Sequence, residues 1–147
     1  MRRAVSTLGL AAVLAASGCA GPSRTYGDYS LKAANTAEAA ASEVQTARLA
    51  VEAAAKHKAT GPYLSVLLGD SEDALDSIQS AFSSVQPPDE KADDLHDQLD
   101  DLLTKAADTL RDLRIAVRRG QQGKLSEIAQ PLPDLYQKLD DFDQAHS

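Results

Sequence analysis

Two short stretches carry residue types that could do chemistry together. Asp93-Asp94-Leu95-His96 and Asp143-Gln144-Ala145-His146 each set a carboxylate and an imidazole three residues apart. On a helix that spacing puts Asp93 beside His96 and Asp143 beside His146, on one side of one turn. Carboxylate and imidazole together are ligands for divalent transition metals. In a hairpin of helices turning near residues 120–123, both histidines lie about 35 Å from the turn, hence at one level. A di-iron site in a helical bundle needs, in addition, a glutamate from each of the two other helices. The matching level of the preceding run, around Ser80 to Ser84, offers no carboxylate. Asp93, His96, Asp143 and His146 are therefore weak metal candidates, expected as solvated side chains, and no cofactor is expected.

A second constellation is electrostatic. If the helices described below alternate in direction, Lys56, His57, Lys58, Arg114, Arg118, Arg119 and Lys124 collect at one end. Asp89, Glu90, Asp93, Asp94, Asp97, Asp140, Asp141 and Asp143 collect at the other. Cations at helix C-termini and anions at N-termini complement the helix dipole, which accounts for Lys58, Arg119 and Asp89. It leaves Asp140, Asp141 and Asp143 unexplained, because they fall at a C-terminus. The basic end, with Lys56, Lys58, Arg114, Arg118, Arg119 and Lys124, is the candidate surface for an anionic wall polymer or an acidic envelope protein.

Other chemistries find no support. There is no Gly-rich phosphate loop, nucleophile elbow, His-Glu-x-x-His, Cys-x-x-Cys-His or EF-hand loop. Met1 is the only methionine and Cys19 the only cysteine, so thioether ligation, an internal disulfide and a four-thiolate zinc site are not expected. The chain carries 15 Lys and Arg against 22 Asp and Glu, for a net charge of −7. Such an acidic balance disfavours nucleic-acid binding, which rests on cations meeting phosphates. An enzyme is not expected.

The elements that would position these groups are helices. Ala34, Ala37, Ala41, Val44, Arg48, Val51 and Ala55 recur at alternating steps of three and four, the period of a helical seam. Thr60-Gly61-Pro62 punctuates, and Pro62 suits a first helical position. The same period runs through Leu64, Leu67, Ser71, Ala74, Ile78, Ala81 and Val85, with Leu68, Leu75 and Phe82 widening the face, and ends at Pro87-Pro88. The unbroken phase across Gly69 favours one helix there. Ala92, Leu95, Leu99, Leu102, Ala106, Leu110, Leu113 and Val117 form the third stripe, with Gly120 placed as its C′ residue. Leu125, Ile128, Leu132, Leu135, Leu139 and Phe142 form a fourth, read as one helix kinked by Pro131 and Pro133. Arg48 breaks the first seam, and the register expected of a hairpin pairs it with Glu72 and Asp73; an anion site inside the bundle is the alternative. Four amphipathic helices with short connections, and no strand-like alternation, predict an all-α antiparallel up-down-up-down four-helix bundle over residues 30–146.

The amino terminus is of another kind. Met1-Arg2-Arg3 is a positive cap on the apolar run Ala4 to Ala16, too short to span a membrane and right for a signal peptide. It ends in Leu14-Ala15-Ala16-Ser17-Gly18-Cys19, where small residues admit a peptidase and the thiol can be alkylated. This stretch resembles the lipobox of bacterial lipoproteins, with Ala16 where leucine is commonest. The resemblance implies diacylglyceryl transfer to the Cys19 sulfur and cleavage before it. Residues 1–18 are then a signal peptide and residues 19–29 a tether broken by Gly21, Pro22 and Gly27. Loss of Arg2 and Arg3 takes the charge from −7 to −9. The protein expected is held by lipid on the outer face of the bacterial cytoplasmic membrane, or else secreted. It acts as a non-enzymatic binding or scaffold module, with a ligand- or metal-binding bundle as the alternative. The sequence leaves its oligomeric state open.

Overall fold

The computed structural model describes residues 23–147. Cys19, the signal peptide and most of the expected tether lie outside the described residues. The described chain is all-helical: α1 (Tyr26–Ala55), α2 (Gly61–Ser83), α3 (Glu90–Arg118), a 3-10 turn (Gln122–Lys124), α4 (Leu125–Ile128) and α5 (Leu132–His146). Among these residues no helix is long and apolar enough to cross a membrane.

α1 begins earlier than its alanine pattern suggests. Thr25 takes the N-cap position: its hydroxyl accepts from the Asp28 backbone N–H at 3.2 Å and donates to the Asp28 carboxylate at 2.9 Å. That reciprocal cap satisfies an orphan donor of the first turn and puts an acid at the positive end of the helix dipole. Residues 26–29, expected as tether, are therefore helical, and Tyr29 is fully buried. Asp89 caps α3 in a simpler way, accepting from Ala92 N–H at 2.9 Å.

Both α1 and α3 end in the same hydrogen-bond pattern. Lys58 N–H reaches the Ala53 carbonyl and His57 N–H that of Ala54; Gln121 N–H reaches Ala116 and Gly120 N–H reaches Val117. These are Schellman closures, which need a left-handed residue at C′. Gly120 supplies it as expected, at φ 69°. In α1 the position falls on His57, a residue with a Cβ, at φ 54°.

The fourth stripe folds differently from the expected kinked helix. Pro131 has no N–H to continue the ladder, and Pro133 occupies the first turn of a fresh helix. α4 therefore stops at Ile128 and α5 restarts at Leu132, bridged by bonds from Gln130 N–H to Glu127 and Leu132 N–H to Ala129. Leu125, Ala129, Leu132, Leu135 and Leu139 stay buried through the break, so the apolar face survives while the helix does not.

The core forms where the alanine face of α1 meets leucines from elsewhere. Ala33, Ala37, Ala40 and Ala47 are fully buried, and α1 packs against α2, α3, α4 and α5. Small side chains let its axis approach closely, and Leu68, Leu75, Leu99, Leu103, Leu110 and Leu139 fill the space left over. In α2 the buried line runs through Leu64, Leu68, Ser71, Leu75 and Phe82. Leu67, Ala74 and Ile78 flank it half-buried and Ala81 is exposed, so the centre of the face is turned from the expected one.

Side-chain bonds fix the register. Tyr29 near the start of α1 bonds His96 near the start of α3, while Ser30 Oγ donates to the His146 carbonyl at the end of α5. Glu72 in α2 meets Arg114 late in α3, and Gln79 further along α2 donates to Asp100 and Thr104 earlier in α3.

Candidate functional site

The two imidazoles stand at one level, as expected, since neighbouring residues of α1 touch the one and the backbone of the other. Their rings are engaged separately. His96 Nδ1 shares a 2.7 Å hydrogen bond with the Tyr29 hydroxyl, and its ring stacks on Phe82 with centroids 5.0 Å apart. His146 packs on Phe142 at 4.5 Å. Both are half-buried, not solvated as expected. Asp143 accepts the Ser147 hydroxyl at 2.8 Å, and Asp93 remains exposed. Among the described residues no three His, Cys, Asp or Glu side chains form a group able to hold a metal ion.

Tyr29 falls within the expected tether, yet it belongs to α1. The Thr25-x-x-Asp28 cap is the sequence signal that places it in α1. Burial, helped by the charges of Asp93 and Asp97, pushes its hydroxyl up to about 12. The group therefore remains a neutral hydroxyl, able to donate to Nδ1 when His96 is uncharged.

The expected partner of Arg48 is taken. Glu72 is buried and its carboxylate accepts from both Nε and NH2 of Arg114, the latter at 3.0 Å, with Arg111 Nε at 3.7 Å. The bond to Glu72 raises the pKa of Arg114 still further. Arg114 thus leaves the set of free cations and becomes part of the α2–α3 contact. Arg48 turns the other way, its guanidinium 6.0 Å from the centroid of the Tyr136 ring in α5 and Nε 3.8 Å from Glu52.

The other expected cations stand apart from the Glu72–Arg114 pair. Gly61 at the start of α2 lies beside the Gln122 side chain, so the end of α1, the start of α2 and the turn after α3 share one end of the molecule. Around it stand Lys56, Lys58, Arg118, Arg119 and Lys124, all exposed. Lys56 sits 3.8 Å from Glu52. Lys58, Arg118, Arg119 and Lys124 form no ion pair among the described residues. A shallow hollow lined by Arg114, Ile115, Arg118 and Arg119 opens on this surface. Its lining presents three guanidinium groups, of which that of Arg114 is committed to Glu72.

No family model matches the chain, and comparison with curated proteins and with solved structures finds no similar protein.

Proposed function

We propose that the chain is a lipid-anchored protein of the bacterial cell envelope that works without catalysis, presenting its basic end to an anionic partner. In this reading Cys19 carries the lipid and the helices form an antiparallel up-down-up-down bundle, with α4 and α5 together as the fourth arm. The Tyr29–His96, Ser30–His146 and Glu72–Arg114 bonds support that topology. The anchored end is the acidic one, so anionic headgroups repel it and the opposite end faces outward.

The observation that carries the reading is the set of unpaired exposed cations, Lys58, Arg118, Arg119 and Lys124, at the end far from the anchor. Helix-dipole complementarity needs a cation in a last turn, but it does not require four to remain without an ion pair. Cross-linking of the lipidated protein in native membranes, followed by mass spectrometry, tests it. A partner, protein or wall polymer, should be enriched with the wild type and lost with an Arg118→Glu, Arg119→Glu variant. Equal recovery by both would refute the basic end as the contact surface.

A further inference from the structure

We propose that the groove between α1 and the α4–α5 break binds a small amphiphilic carboxylate, with Arg48 as its counter-ion. This site is distinct from the basic end and does not depend on it. The groove has a volume of about 360 Å³, within the range of small-ligand pockets. Its walls are Val51 and Ala55 from α1 and Ala129 and Pro133 from the far side. It exists because the prolines interrupt the fourth arm: the chain turns there, and the small side chain of Ala129 leaves the space open.

Arg48 supplies the polar end. Its Nε is buried and has no hydrogen-bond partner. The side chain as a whole is 33% exposed, and a guanidinium presents its donors in a fork that fits a carboxylate. The Tyr136 ring lies beside Arg48, its centroid 6.0 Å from the guanidinium carbon. Glu52, which lines the same groove, is the acid paired with Arg48 among the described residues, at 3.8 Å, beyond hydrogen-bond reach and equally far from Lys56. When an incoming carboxylate takes Arg48, Glu52 therefore keeps a cation of its own. A short aliphatic chain ending in one carboxylate matches the apolar walls and Arg48, with Ser126 and Gln130 as further polar groups of the lining.

The molecule carries its own control. A second apolar groove lies on another face of α1, against α2, lined by Leu49, Ala53, Tyr63 and Leu67, with no charged residue in its lining. Apolar burial alone would fill both grooves alike, whereas the proposal requires selection of the one that holds Arg48.

The test is an NMR titration of the full chain, carrying Cys19→Ser to keep lipid off the sulfur, with sodium octanoate. Saturable amide shifts are expected at Val51, Ala129, Gln130 and Tyr136, and not at Leu49 or Tyr63. Octanol, with the same chain and no charge, should not saturate these residues. Arg48→Leu should weaken octanoate binding about tenfold or more. Arg48→Lys, which keeps the charge and loses the fork, should fall between. Both variants must retain the wild-type spectrum elsewhere. Unchanged affinity in folded Arg48→Leu, equal shifts in both grooves, or no saturable shift would each overturn the proposal.

Discussion

Replacing Arg114 by leucine should be among the more damaging single changes available on the surface of this fold. Glu72 has a side chain only 8% exposed and accepts two charge-assisted hydrogen bonds from Arg114. Removing one partner of a fully buried pair costs about 3–5 kcal/mol, because the other charge is left unpaired. Two features reduce that figure here. The Arg114 side chain is 25% exposed, and Arg111 remains 3.7 Å from Glu72, although Asp108 also claims it at 2.7 Å. We therefore expect Arg114→Leu to cost about 2–3 kcal/mol, and Tm to fall by about 8–12 °C. The double variant Glu72→Leu, Arg114→Leu removes the stranded charge as well and should return to within about 1 kcal/mol of wild type. Urea unfolding followed by circular dichroism measures all three. A loss under about 0.5 kcal/mol in Arg114→Leu would refute the assignment, since that is the range of an ordinary surface change. An equal or larger loss in Arg48→Leu would refute it too, because Glu72 would then belong to the pair expected from helix spacing.

Further expectations concern the caps and the buried hydroxyl. His57→Gly should stabilise by about 1 kcal/mol in thermal unfolding, because the left-handed C′ position disfavours a Cβ. Gly120→Ala should destabilise by a similar amount, about 1 kcal/mol, for the same reason. Gly61→Ala should change stability by less than about 0.5 kcal/mol, since its Cβ meets only the mobile end of Gln122. Tyr29→Phe should cost about 1 kcal/mol at neutral pH for the lost bond to His96. The same variant also tests the titration of Tyr29. Folding raises its pKa from 10.0 to about 12, so its contribution is fully present below pH 10 and is lost as pH rises towards 12. In that window the wild type should lose up to about 1.4 kcal/mol per pH unit more than Tyr29→Phe, and parallel unfolding curves would contradict the burial argument.

Helical class, most of the third apolar stripe, the uninterrupted α2 and the Gly120 cap were legible in the residues. Each depends on neighbours within one or two turns, and a period of 3.6 residues is visible without knowing what a helix packs against. The start of α1 was legible as well, in Thr25 and Asp28, but the alanine run after it drew the boundary too late. The tertiary structure alone decided which face of α2 turns inward, that Glu72 belongs to Arg114, and that His96 is held by Tyr29 and Phe82. An apolar stripe spans a third of a helix or more, so it leaves the rotation of that helix free by tens of degrees. That rotation is set when the small face of α1 and the leucines of its neighbours fill one shared volume at interior density. The same packing turned Arg48 away from Glu72 and left its guanidinium at the groove beside the α4–α5 break.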